Sequence, residues 1–193
     1  MSNDWYPANH TYTGDTDGRP VKPHYLTMPD RIRVWDPAVR TQGWTRFQRK
    51  LWRQARTAAL SRWGYPFEVV EKKNPAVYLP EGITLRPFTP NPEYGKNSYG
   101  GFGLEPILHP ETSDYDEYAW NMGKGFALIY PTVVTNAFAA RVTGVLTGTM
   151  GHEIGHALGF GHGGTGIMES VLNPPYYPNL EELNALEAYW GRA

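Results

Sequence analysis

The 193-residue chain contains no cysteine. No disulfide can staple the fold, and no thiolate can ligate a metal. Long apolar runs are missing as well. No stretch approaches the ~18 consecutive apolar residues of a membrane-spanning helix. Residues 1–10 lack the basic segment and apolar run of a secretory signal. The expectation is a protein that acts inside the cell that makes it, or that leaves by another route, such as packaging in a larger particle like a phage virion. An excess of charge of one sign is also lacking, the net charge being -1. The charge is nonetheless uneven, with a balance of +6 over residues 1–96 and -7 over residues 97–193. That pattern reads as two solvated faces, with steering of a charged substrate as the alternative. Hydrophobic residues make up 40% of the chain, which excludes a disordered polymer, and the length suits one domain with a real core.

What the chain does have is one dense run, His152-Glu153-Ile154-Gly155-His156-Ala157-Leu158-Gly159-Phe160-Gly161-His162. Histidines four apart on an α-helix stand one above the other on the same face, where both can bind one metal ion. Zinc accepts nitrogen ligands readily. Glu153 is adjacent to the first histidine but turned aside, a position suited to holding a water rather than the metal. Gly159 can end the helix through a left-handed turn at little steric cost, which would bring His162 back as a third ligand. Three protein ligands plus a water form the open set of a catalytic zinc, whereas structural zinc sites close all four positions. Three histidines, a glutamate and a glycine in this register set the run apart from a buried helix that merely carries satisfied histidines.

With Met168 six residues beyond His162, the run resembles the metzincin clan of zinc endopeptidases, and its wording is most similar to the matrixin branch. Matrixins place Ser after the third histidine, and Gly163 stands there in this chain. The resemblance implies an α+β, zincin-like single domain: a twisted mixed sheet of about five strands with three helices. It implies one catalytic Zn2+ on His152, His156 and His162, with Glu153 as general base and Met168 as the floor beneath the site. It also implies a protein or peptide substrate. Matrixin proenzymes are silenced by a propeptide cysteine, a device this chain cannot use.

Residues 1–29 are rich in turn-formers and read as an irregular arm before a domain spanning 30–193. Within the arm, Asp15-Thr16-Asp17-Gly18 lacks the downstream glutamate of a calcium loop and reads as a turn. Arg31–Trp35 alternates as a strand does. A helix follows from about 43 to 63, with Trp44, Phe47, Leu51, Ala55 and Ala58 on its apolar face. Its other face carries Arg46, Arg49, Lys50, Arg53 and Arg56, either the wet side of an amphipathic helix or a nucleic-acid surface. The near-zero net charge favours the wet side. Phe67–Glu71 and Ile83–Arg86 read as further strands.

From Pro87 to Lys124 the composition suggests a long irregular stretch in which Gly101, Phe102, Gly103, Leu104 and Glu105 form a short edge strand. In metzincins the substrate pairs with such an edge, so the resemblance makes Gly101–Leu104 substrate-binding residues. Asp114, Asp116 and Glu117 read as a solvated acidic loop, with Ca2+ as the alternative. His10, His24 and His109 have no ligand-like spacing.

Phe126–Tyr130 reads as a buried strand. The helix bearing the histidines is expected from about 136 to 159. Gly144, Gly148, Gly151, Gly155 and Gly159 form a stripe along it within an arc of about 80°, which predicts close packing. The proline-rich segment 169–178 reads equally as a plain tight loop or, as the resemblance implies, as the wall of the pocket beyond the scissile bond, with Tyr176 and Tyr177 as candidates to contact substrate. Asn179 caps a last helix, with Glu181 and Glu182 in its first turn and Leu180, Leu183, Leu186 and Trp190 as an apolar stripe.

The function expected from all this is peptide-bond hydrolysis by a zinc endopeptidase. The alternative is a zincin-fold module without turnover, serving as a structural or binding component of a larger assembly. Retention of Glu153 argues against that alternative, because a scaffold has no use for the base.

Overall fold

A computed structural model describes residues 21–23, 31–72, 82–88, 98–107, 117–158, 160, 162, 166–169 and 177–190. The elements are β1 (Val21–Pro23), β2 (Ile32–Trp35), α1 (Ala38–Thr41), α2 (Arg46–Arg62), β3 (Phe67–Val70) and β4 (Ile83–Pro87), followed by β5 (Tyr99–Ile107), β6 (Glu117–Ile129), α3 (Pro131–Ala140), α4 (Gly144–Ala157) and α5 (Leu180–Trp190). Five strands run parallel in the order β1-β6-β4-β2-β3, and β5 lies antiparallel along β6. Among the described residues the architecture is therefore α/β, a six-stranded mixed sheet with five helices. The expected α+β domain of about five strands and three helices differs from it in class and in count.

Three local differences account for this. The stretch 87–124 reads as mostly irregular, with only a short strand at 101–105, because it is rich in glycine and proline, yet β5 and β6 pair over most of their lengths, with a register shift between Gly101 and Gly103. A bulge there breaks the two-residue alternation that would have marked the strand. The single helix expected over 136–159 is two helices. Arg141 adopts a left-handed conformation with φ 59°, and the Val142 N–H returns to the Ala137 carbonyl, so α3 stops and α4 starts afresh at Gly144. Within the expected arm, Val21–Pro23 pairs with Tyr118–Trp120 of β6 as strand β1.

The core forms where α2 and α4 meet the sheet. Ile32, Val34, Ile83, Leu85, Ala127 and Ile129 of the strands pack with Trp52, Ala55 and Trp63 of the α2 side and with Leu146, Met150 and Ile154 of α4. Helix α2 starts with a capping box. The Thr45 hydroxyl accepts the Gln48 N–H, and the Gln48 side chain accepts the Thr45 N–H. Its buried face is rotated from the expected one. Trp52 and Ala59 are inside, whereas Phe47 is 46% exposed. Arg56, assigned from sequence to the wet face, is buried. Its guanidinium donates to Asp36 at the end of β2 and to Glu71 just beyond β3, and Arg53 donates to both oxygens of Glu71.

This ion-pair group gives the fold a defined acid response. Hydrogen bonds from Arg53, and then from Arg56, hold the Glu71 carboxyl down at about 2. A folded-state pKa below the unfolded value stabilises the protein above the unfolded pKa, and that gain is lost as pH falls towards 2. Burial raises the Asp36 carboxyl, so Asp36 acts in the opposite sense. Comparing wild type with Glu71→Gln by denaturant unfolding isolates Glu71. The wild type is expected to lose on the order of 1–2 kcal/mol more than the variant between pH 5 and pH 2. Parallel acid limbs for the two proteins would remove Glu71 as the cause.

Candidate metal centre

Helix α4 presents His152 and His156 one turn apart, as their spacing dictates, and the chain returns to bring His162 alongside. The three Nε2 atoms converge: His152 to His156 is 3.1 Å, His156 to His162 is 3.1 Å, and His152 to His162 is 3.2 Å. A tetrahedral ion with metal–nitrogen bonds of ~2.0 Å has ligand–ligand edges of ~3.3 Å. Together the three form a group that could hold a metal ion.

The tautomers support the same conclusion. His152 Nδ1–H donates to the Ile167 carbonyl at 2.6 Å, and His156 Nδ1–H donates to the Phe160 carbonyl at 2.7 Å. A carbonyl can only accept, so in each neutral ring the proton sits on Nδ1 and the Nε2 lone pair faces inward. Burial lowers the pKa of both rings, that of His156 to about 3. Inward-facing lone pairs this close repel one another and fit a shared cation. His152 is buried, His156 half-buried and His162 exposed, so the group opens to solvent on one side.

The return of the chain is built at the end of α4. Leu158 caps the helix, and the Phe160 N–H bonds back to the Gly155 carbonyl at 3.0 Å, the six-to-one bond of a Schellman ending. Gly159, assigned from sequence to this turn, lies outside the described residues.

Glu153 is 6% exposed, and burial alone pushes its carboxyl up to about 8. Among the described residues nothing hydrogen-bonds to that carboxyl. A divalent cation on the histidines would pull the value back down by Coulomb attraction.

The far side of α4 explains part of the glycine stripe. A Cβ on Gly151 would collide with Ile167, and one on Gly155 with Met168 Sδ and the Trp63 ring. Met168 thus lies directly against the ligand-bearing helix. Gly144 has nothing within 4 Å, so the stripe packs at its middle and not at its start. Opposite signs follow for two substitutions on one helix. Gly155→Ala is expected to destabilise by about 1–3 kcal/mol through overpacking. Gly144→Ala is expected to gain about half a kcal/mol from helix propensity. Urea unfolding of the two variants checks both, and equal effects would refute the packing account.

Strand β5 approaches α4 from another side. A Cβ on Gly100 would strike the Glu153 backbone carbonyl. This backbone contact places β5 beside the histidine run. Gly101, Phe102, Gly103 and Leu104, expected to bind substrate, lie in the middle of β5; Gly101, Gly103 and Leu104 pair with β6, and Phe102 falls at the register shift. Tyr176 lies outside the described residues, as do His10, His24, His109, Asp114, Asp116 and the turn at 15–18. Tyr177 is 63% exposed, with the Arg62 guanidinium 4.0 Å from its ring centre.

Two supporting residues escaped the sequence reading. Glu182, expected to serve only the positive end of α5, is 2% exposed. Its carboxylate accepts the N–H groups of Ile167 at 3.0 Å, Met168 at 2.9 Å and Asn179 at 2.7 Å, while Asn179 Oδ1 accepts the Glu182 N–H. The Asn-x-x-Glu spacing announces a capping box, but nothing in it announces the reach to 167 and 168. Leu180, placed in the apolar stripe, is 72% exposed instead. Trp63 is the second residue: its ring stacks on Phe160 and its N–H bonds into α4. Among the described residues no helix is long and apolar enough to cross a membrane. Set against known proteins, the chain matches no protein-family model and no curated protein.

Proposed function

We propose that the chain is a metzincin-like zinc endopeptidase in which His152, His156 and His162 hold the metal. The observation that carries this reading is the convergence of the three Nε2 atoms, two of them turned inward by carbonyls on Nδ1. Zinc bound there would supply Lewis-acid polarisation of a scissile carbonyl and a lowered pKa for water. Glu153 takes a proton from the attacking water on its carboxylate and passes it to the leaving amine nitrogen. That role needs the ionised form, which the cation's field favours in a pocket that by itself raises the carboxyl to about 8. Met168 packs under the ligand helix as a floor. An extended peptide pairs with β5 at Gly101–Leu104, beside Glu153. The resemblance would give Tyr177 a place in the wall beyond the scissile bond.

The test is cleavage of a diverse peptide library by the purified zinc-loaded chain, read by mass spectrometry, with and without a chelator. Cleavage that stops on chelation and returns with zinc supports the reading. One zinc bound per chain with no cleavage of any peptide would favour the module without turnover.

A further inference from the structure

We propose that Trp63, at the far end of α2, is a positioning residue for the metal-binding histidines. The inference rests on the metal reading of the site and adds to it a residue outside the histidine run.

A metal-ligating histidine is oriented by the group on its other ring nitrogen, and loss of such an outer partner typically costs 10–100-fold in metal affinity. Here the partner of His156 is the carbonyl of Phe160. A backbone carbonyl has no rotamer of its own. It points where its segment is held, so the contacts of the segment become part of the ligand's support. The Phe160 ring, 5% exposed, stacks on Trp63 with centroids 5.0 Å apart and planes 29° from parallel. One indole therefore sets the segment that sets His156.

The same indole also acts on the helix that carries the ligands. Trp63 Nε1–H donates to the Gly151 carbonyl at 2.9 Å, across 88 positions of sequence. Gly151 immediately precedes His152. Carbonyls inside a helix already serve the amide four residues on, so the indole uses the second lone pair. It draws α4 onto α2 at the first ligand. Its ring edge lies against Gly155, next to Met168, where a methyl group would collide. Trp63 thus meets the helix just before His152 and just before His156, and it meets the segment that anchors His156. Tryptophan combines the broadest aromatic plane with an N–H donor at its edge.

Trp52 is the natural control. It lies on the same helix and is equally buried, but its N–H serves Asp36 and its ring meets Trp44, away from the histidines.

Cobalt(II) binding by the full chain tests the proposal, through the dissociation constant and the visible d–d spectrum. Trp63→Phe keeps a ring on Phe160 and loses the donor; Trp63→Leu loses both. Trp63→Leu is expected to weaken cobalt binding 10–100-fold and to shift the spectrum. Trp63→Phe should weaken it by about three- to tenfold. Trp52→Phe is expected to lower the melting temperature while leaving affinity and spectrum at wild-type values. The proposal is overturned if Trp63→Phe and Trp63→Leu both bind cobalt as wild type does, or if Trp52→Phe loses as much affinity as they do. If Trp63→Leu does not fold, Trp63→Phe decides, and an unchanged constant and spectrum count against Trp63. Failure of the wild type to bind cobalt would overturn the metal reading itself. Binding that ignores position 63 would overturn this inference alone.

Discussion

Glu153→Gln is expected to leave one zinc bound per chain and to reduce peptide hydrolysis by 10²–10⁴-fold, the scale of lost acid–base catalysis. Gln matches Glu in shape and cannot carry the proton. The fold should tolerate the change, because burial already disfavours the charged carboxylate at this position and a neutral amide carries less of that penalty. Neither contact that orients His152 and His156 involves the Glu153 side chain, so metal affinity should stay within a few-fold of wild type. Zinc stoichiometry and kcat/KM, measured together, separate the two roles. A variant that binds zinc and hydrolyses at the wild-type rate would remove Glu153 as the base. A variant that loses zinc would mean that the carboxylate helps to hold the metal.

The second large effect is expected at Glu182. Truncation to Ala leaves the buried N–H groups of Ile167 and Met168, and the half-buried N–H of Asn179, without their acceptor. Each unsatisfied buried donor costs about 1–3 kcal/mol, so a loss on the order of 3–5 kcal/mol is expected, a large share of ordinary domain stability. Gln restores the shape but turns an NH2 group towards backbone donors, and it should recover only part of the loss. The damage should also reach the metal. The Ile167 carbonyl orients His152 while the Ile167 N–H is held by Glu182, so weaker zinc binding should accompany lower stability. Denaturant unfolding and zinc titration of Glu182→Ala and Glu182→Gln provide the check. An Ala variant with the wild-type unfolding midpoint would show that these three bonds add nothing.

The parts of this molecule legible from sequence are those encoded by local spacing. Residues four apart meet on any helix, so the approach of His152 to His156 could be read directly. That His162 joins them was expected from a turn at Gly159, which lies outside the described residues; the structure shows the three histidines together. Strands β2, β3 and β4 announced themselves through alternating or β-branched residues. By contrast, β5 was read only as the short strand 101–105, and its start was obscured because Gly100 must lack a side chain to lie on the Glu153 carbonyl. A residue chosen for close approach carries no strand signal. The break between α3 and α4 rests on Arg141 in a conformation that non-glycine residues rarely adopt. Arg56 was misread as solvated, and the reach of Glu182 beyond its own helix went unread, for a common reason. The partners of a buried charge come from distant strands or turns, which local spacing does not show. Trp63 could be recognised as apolar, but its role depends on residues 88 and 97 positions away.

The three histidines lie within eleven residues, whereas the groups that aim them come from α2, the turn at 166–168 and α5. The nitrogens are therefore near neighbours even in the unfolded chain. Closing loops this short costs little entropy, and the denatured polypeptide should retain a weak affinity for zinc. A ligand that binds both states stabilises the native one only by the difference. At a thousand times the native dissociation constant, selective binding would add about 4 kcal/mol. Once zinc also saturates the denatured chain, further additions should stop raising the unfolding midpoint, and the height of that plateau would report how far tertiary structure improves on bare sequence proximity.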